Sequence, residues 1–77
     1  MNESLVLIEP DYRGFRIQVN AVVDGDRWSA DVMIRRTLSP DKPLHDHVNY
    51  DKLSAAHAEQ AGMLWARRYI DSRLYLE

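Results

Sequence analysis

The chain has 77 residues, a formal net charge of −2 at pH 7 and no cysteine. A chain of this size forms one domain that buries only about 60% of its unfolded surface. Its charge balance excludes a bulk attraction to nucleic acid or to an anionic membrane, and the lack of thiols excludes disulfides, a thiolate zinc site and a cysteine nucleophile. We expect a single cytoplasmic domain, because no stretch resembles a signal peptide or reaches transmembrane length.

The N-terminal segment, residues 1–11, is a short apolar run followed by a turn signal. The run extends from Leu5 to Ile8, and Pro10 with Asp11 comes directly after it. The pattern fits either an N-terminal extension laid against the core or a short edge strand. The proline and aspartate predict a turn before the next strand begins.

Two segments then alternate apolar and polar residues, which is typical of half-buried strands. In the first segment the apolar residues occupy odd positions from Phe15 to Val23. In the second they occupy even positions from Trp28 to Ile34. The glycine between two aspartates that separates the segments is the strongest hairpin signal in the chain.

The change from odd to even positions restricts the hairpin loop to an even number of residues, because the buried face must stay the same. A two-residue loop is either Asp24-Gly25 or Gly25-Asp26. The second choice sets Arg16 directly opposite Arg35, and like charges in that position are unfavourable. We therefore predict the loop Asp24-Gly25.

A loop and a third alternating segment complete the predicted sheet. Residues 37–43 contain two prolines and are predicted to be a loop, after which residues 44–50 form a strand, so that the sheet spans residues 12–50. The sheet face turned away from the core is expected to be wet or to bind a ligand. Its predicted side chains are Arg16, Gln18, Asn20, Ser29, Asp31, Met33 and Arg35.

Residues 53–75 are the only stretch long enough, and rich enough in helix formers, for a long helix. Ala58, Gly62 and Ala66 repeat at every fourth position, and this row of small residues allows close approach to a sheet. The alternative is that the row is a seam between two helices of a dimer. Ser54 is the preferred N-cap, and Asp51 is the alternative cap.

The order of these elements predicts an α+β fold in β-β-β-α order. It is a three-stranded antiparallel sheet, or a four-stranded one if the N-terminal run joins it, with one long C-terminal helix packed on one face. We predict that Trp28 lies on the inner face of the sheet and Trp65 on the flank of the helix. Both are expected to be largely buried.

Three stretches, within residues 12–17, 25–30 and 61–71, carry a resemblance to a known family. They read Tyr-Arg-Gly-Phe-Arg-Ile, Gly-Asp-Arg-Trp-Ser-Ala, and Ala-Gly followed by Ala-Arg-Arg-Tyr-Ile-Asp. These stretches resemble short uncharacterised proteobacterial proteins with a HicB-like fold, which is a partial double-stranded-RNA-binding-domain fold. The resemblance covers residues 12–73. It implies three strands and a helix, and an antitoxin-like module that binds a toxin or nucleic acid; it implies no catalytic residue.

Motifs for catalysis or metal binding are weak in this sequence. Ser29 or Ser54 could be combined with a histidine and an aspartate into a triad, but neither serine lies on the strained turn of a hydrolase nucleophile. His45 and His47 place two imidazoles on one face of a strand, and a metal site would need a third ligand from elsewhere. We predict no enzymatic activity, no cofactor and no bound metal.

Basic residues and one leucine are the best candidates for contacts with a partner. Four arginines can gather at one end of the open sheet face, and two more can form a patch on the helix, where the leucine also projects among polar neighbours. Arginine suits phosphate recognition. The candidate residues are Arg13, Arg16, Arg35, Arg36, Arg67, Arg68 and Leu64.

Protein contact is the function that these features favour. Asp31 shares the open face with the arginines, and that face lacks the aromatic side chains on which single-stranded nucleic acid stacks. We predict a protein-interaction or assembly module whose contacts include a homodimer, formed through a strand edge or the outer face of the helix. The alternative is a HicB antitoxin-like module that binds a toxin or nucleic acid.

Overall fold

The computed structural model describes residues 6–38 and 42–74, without the side chains of residues 49 and 50. The four strands follow chain order in one antiparallel sheet, and the helix packs on one face. The α+β prediction is confirmed, and the N-terminal run supplies a fourth strand. The elements are β1 (Val6–Tyr12), β2 (Phe15–Asp24), β3 (Arg27–Arg36), β4 (Leu44–Lys52) and α1 (Ala55–Tyr69), followed by the C-terminal π-turn (Ile70–Leu74).

Strand β1 continues through the proline at which we predicted a turn. Pro10 lies on an edge strand, where a missing N–H is tolerated, and the pairing with β2 shifts register between Glu9 and Tyr12. The chain turns instead at Arg13 and Gly14, which have φ values of 54° and 86°, as a type I′ turn requires. The predicted turn at the proline is wrong because an irregular edge strand accommodates that residue.

The β2–β3 hairpin uses the loop that we rejected. Asp24 pairs with Arg27, which leaves Gly25 and Asp26 as the two loop residues. Gly25 has a φ of 67°, and Asp26 is not among the residues with positive φ; this is the pattern of a type II′ turn, which places glycine first. The prediction is wrong because it rested on avoiding one like-charge pair, and a penalty of only about 0.2 to 1 kcal/mol is too small to fix the register.

The hydrophobic core lies between α1 and the inner faces of β2 and β3. Helix α1 approaches the sheet so closely that a Cβ atom on Gly62 would lie 2.8 Å from both Ala30 Cβ and Val19 Cγ1. The row of small residues therefore packs on the chain's own sheet, as predicted. The buried core residues are Phe15, Ile17, Val19, Ala30, Val32, Ile34, Ala55, Ala58, Met63, Ala66 and Ile70.

Helix α1 begins at the cap that the sequence favoured. The Ser54 side chain accepts a hydrogen bond from the His57 backbone N–H at 3.2 Å, whereas Asp51 belongs to β4. The predicted helix over residues 53–75 is a regular α-helix only from 55 to 69, since the next turn widens into the C-terminal π-turn. Residues 39–41 of the predicted loop, and residue 75, lie outside the described residues.

Hydrogen bonds and ion pairs join β1 and the turn that follows it to the end of α1 and to the C-terminal π-turn. The Tyr12 hydroxyl donates to an Asp71 carboxylate oxygen at 2.9 Å, and Arg13 Nε lies 2.9 Å from the same carboxylate. One turn earlier, Arg67 donates to Glu9 at 2.8 Å. These contacts attach the edge strand to the helix, so β1 is fixed by side chains as well as by its ladder with β2.

Both tryptophans are partly buried. Trp65 packs against the core, and its ring centroid lies 5.2 Å from that of Tyr69. Trp28 is opposite Val23 near the hairpin tip, where Val23 is 53% exposed. The hairpin thus extends beyond the cover that α1 provides, and burial of the sheet decreases toward its tip.

Candidate functional site

The sheet face opposite α1, called the open face below, is formed by all four strands. Because neighbouring strands pair in register, alternate residues of each strand share this face. It holds two side-chain clusters, one polar and one basic. Its described side chains include Val6, Ile8, Arg16, Gln18, Asn20, Val22, Ser29, Asp31, Met33, Arg35, His45 and His47.

Ser29, His47 and Asp31 form the polar cluster. His47 Nδ1 lies 2.7 Å from Asp31 Oδ1, and its Nε2 lies 2.7 Å from Ser29 Oγ. The pairing of β3 with β4 explains the arrangement, because Asp31 is directly opposite His47 and Ser29 is two residues away on the same face. The sequence contained these residue types, but the histidine that joins them depends on a strand register that local patterns do not encode.

The polar cluster has the connectivity of a hydrolase triad without the surroundings that the reaction requires. Ser29 is only 4% exposed, and the neighbouring depression of about 210 Å³ is lined by Asp31 and His47 rather than by Ser29. An oxyanion hole needs free donors beside the nucleophile, whereas Ser29 lies inside β3 and pairs with Val22. We interpret the cluster as a structural network that holds β4 on β3.

The two histidines of β4 differ in their surroundings. His45 is exposed, whereas His47 has one ring nitrogen against Asp31 and the other against Ser29. A metal ion at His47 would have to replace one of these hydrogen bonds. Across residues 6–38 and 42–74, no group of three or more histidine, cysteine or acidic side chains is placed to hold a metal ion.

A pair of arginines forms the basic cluster. The hairpin register sets Arg16 directly opposite Arg35, which places their Cβ atoms about 4.5 to 5.5 Å apart. Both side chains are exposed, and neither forms an ion pair within the described residues. They border a depression of about 440 Å³. Its lining consists of Pro10, Arg16, Gln18, Met33, Arg35 and Thr37.

The other two arginines predicted for this end of the sheet do not join the pair. Arg13 is directed to the helix side, where it contacts Asp71. Arg36 lies over the ring of Phe15, with 5.1 Å between its Cζ atom and the ring centroid. The structure thus brings two of the four predicted arginines together on the open face and places the other two elsewhere.

The predicted contact residues of the helix are likewise separated. Arg67 is bound to Glu9 of β1, so it forms no patch with the exposed Arg68. Leu64 is 49% exposed and borders a depression of about 260 Å³, while Arg68 borders a different one of about 350 Å³ beside Trp65. The candidate residues Leu64 and Arg68 on the outer surface of α1 therefore border two separate depressions.

The apolar part of the open face was not predicted from the sequence. Val6 and Ile8 are 42% and 44% exposed, and they pair with Asn20 and Gln18, respectively, which places them on the open face. The alternation of Val6 and Ile8 with Leu7, which packs against the core, was the available signal. The pattern was too short to distinguish a two-faced edge strand from a buried apolar run.

Comparisons with known proteins add no relative to this description. No protein-family model matches the chain, and no significant match was found among curated proteins or solved structures. Within the described residues, none of the helical segments combines the length and the apolar character needed to cross a membrane.

Proposed function

We propose that the chain is a non-catalytic interaction module that binds another protein through the open face of its sheet. The observation that carries this proposal is that exposed apolar side chains lie beside exposed arginines that have no ion-pair partner among the described residues. Val6 and Ile8 are more than two-fifths exposed, and the Arg16–Arg35 pair lies on the same face. Exposed apolar patches with a polar rim are typical of protein contact surfaces, where arginine is enriched.

A photocrosslinking experiment tests this proposal. The amino acid p-benzoylphenylalanine replaces Ile8 on the open face, Leu64 on the outer helix, or Val23 at the hairpin tip, in cells that make the chain naturally. All three positions are exposed, so the substitutions leave the core intact. We expect discrete protein adducts at Ile8 and none at Val23. Adducts at Leu64 alone, or at none of the three positions, would overturn the open face as the contact surface.

The alternative is the HicB antitoxin-like module, and the arginine pair is the observation that favours its nucleic-acid form. Two neighbouring guanidinium groups suit phosphate oxygens. Against this, Asp31 lies on the same face, and no phenylalanine, tyrosine or tryptophan side chain is among the described residues of that face. Fluorescence anisotropy with labelled duplexes and single strands of roughly 20 nucleotides tests it: binding of phosphates by the arginine pair would weaken as the salt concentration rises.

Self-association belongs to the same proposal. Strands β1 and β4 form the two edges of the sheet, and an unpaired strand edge can pair with another chain. A homodimer would bury more surface than this small domain can bury alone. Sedimentation equilibrium at micromolar concentrations should show a dimer. A single species at the monomer mass, with a melting temperature independent of protein concentration, would exclude self-association.

A further inference from the structure

We infer that Arg16 and Arg35 form a carboxylate-binding site, which receives an acidic side chain from an extended segment of the protein partner. This inference rests on the proposed function and names the chemistry of the partner. It concerns the end of the open face that borders the depression of about 440 Å³.

Arg16 and Arg35 differ from the arginines that are bound elsewhere in the fold. Arg13 and Arg67 lie 2.9 and 2.8 Å from carboxylate oxygens. Arg16 and Arg35 face each other across the hairpin, and no carboxylate among the described residues pairs with them. A carboxylate bound between them would replace a repulsion by charge-assisted hydrogen bonds, which are the strongest that these groups make.

The surroundings of the pair suit a peptide. Gln18 and Met33 are opposite each other, one step farther along the same face, so the pair borders both an amide and an apolar side chain. Ile8 is opposite Gln18 on the other side and extends the apolar surface toward β1. The ligand that matches this arrangement carries an acidic side chain with apolar residues beside it.

The position of Asp31 favours a carboxylate in a peptide over a nucleic-acid phosphate. Asp31 lies four residues from Arg35 on the same face of β3, a separation of about 13 Å along the strand. A sugar-phosphate backbone that followed the strand would bring a phosphate close to this carboxylate, whereas a peptide can place a neutral side chain there. The described residues of the open face also include no phenylalanine, tyrosine or tryptophan ring on which bases could stack.

A titration followed by nuclear magnetic resonance tests the site in the full chain. The probe is a short acetylated peptide that alternates glutamate and leucine, and the matched probe has glutamine in place of each glutamate. A thymidine oligonucleotide and inorganic phosphate serve as the phosphate probes. We expect the glutamate peptide to shift the backbone amide signals of Gln18 and Met33, and the glutamine peptide to bind at least about tenfold more weakly.

Three variants connect the binding to the arginine pair. Arg16→Gln and Arg35→Gln should each lower the affinity for the glutamate peptide by about tenfold or more. Arg68→Gln on the outer helix should leave this affinity unchanged. Because neither arginine of the pair has an ion-pair partner among the described residues, both variants should unfold at urea concentrations no lower than the parent. This result would show that the lost binding does not come from lost folding.

The outcomes separate this inference from the proposed function. Equal binding of the two peptides, or unchanged affinity in Arg16→Gln and Arg35→Gln, would overturn the carboxylate site. Binding of the oligonucleotide alone would overturn it in favour of phosphate recognition. If the Ile8 photocrosslinks persist in Arg16→Gln at the parent's yield, the inference fails and the proposed function stands; if Ile8 yields no protein adduct in the parent chain, the proposed function itself fails.

Discussion

Replacing Gly62 by alanine tests the closest contact between α1 and the sheet. The added methyl group would lie 2.8 Å from Ala30 Cβ, 2.8 Å from Val19 Cγ1 and 3.4 Å from Val32 Cγ2. The first of these atoms has no rotamer that could move it away, and the second belongs to a β-branched side chain with restricted χ1. Relief therefore requires a shift of the helix or of a strand.

The magnitude follows from two opposing effects. Alanine in place of glycine favours the helix by about 1 kcal/mol, and overpacking a well-filled core costs about 1 to 3 kcal/mol. Two of the distances to the added Cβ atom are 2.8 Å, which is shorter than ordinary van der Waals contact between carbon atoms, and the groups involved are stiff. We therefore expect the overpacking penalty to lie near the upper end of the range of about 1 to 3 kcal/mol. Gly62→Ala should then lower the free energy of unfolding by about 1 to 2 kcal/mol, and Gly62→Leu should lower it by roughly 3 kcal/mol or more.

Urea melts of matched variants measure both effects. The exposed Gln60 of the same helix provides the control: the difference between Gln60→Ala and Gln60→Gly reports helix propensity alone. In a Val19→Ala background, Gly62→Ala should lower the free energy of unfolding by less than it does in the parent chain, because one of the two close contacts is removed. The reasoning is refuted if Gly62→Ala stabilises the chain by the full difference that the Gln60 pair shows.

Three further predictions concern the cap, the β1 attachment and the polar cluster. Ser54→Ala should lower the free energy of unfolding by about 1 kcal/mol while Ser54→Asp preserves it; equal urea melts for all three chains would place the N-cap elsewhere. Asp71→Ala removes the acceptor of the Tyr12 hydroxyl and should destabilise by about 1 to 2 kcal/mol, with faster amide exchange in β1; unchanged exchange would contradict the attachment. A serine-reactive fluorophosphonate should leave Ser29 unmodified by mass spectrometry, and labelling there would contradict its structural role.

Local patterns were sufficient for β2, β3 and α1 and for the face that each of them buries, but not for β1. The odd positions of β2 and the even positions of β3 were correctly assigned to the core, because alternation in a strand directly reports which face meets water. The close approach of Gly62 was likewise predictable, since a row of small residues on one side of a helix serves to bring its backbone near another surface.

The alternation of apolar and polar residues could not predict the hairpin register, for a physical reason. Moving the loop from Asp24-Gly25 to Gly25-Asp26 changes the pairing by two residues, and a shift of two keeps every side chain on its own face. Alternation therefore cannot distinguish the two registers. The structure has the register with the Gly25-Asp26 loop, which places Arg16 opposite Arg35 and creates the basic cluster.

The sequence by itself thus determined the α+β order, the inner face and the helix cap, because these depend on residues close together along the chain. Only the tertiary structure decided which side chains meet across strands. Ser29 and His47 are 18 residues apart and in contact, and Tyr12 and Asp71 are 59 residues apart and in contact. Such contacts depend on strand register and on where the helix lies, and both result from the packing of the whole domain rather than from any local preference.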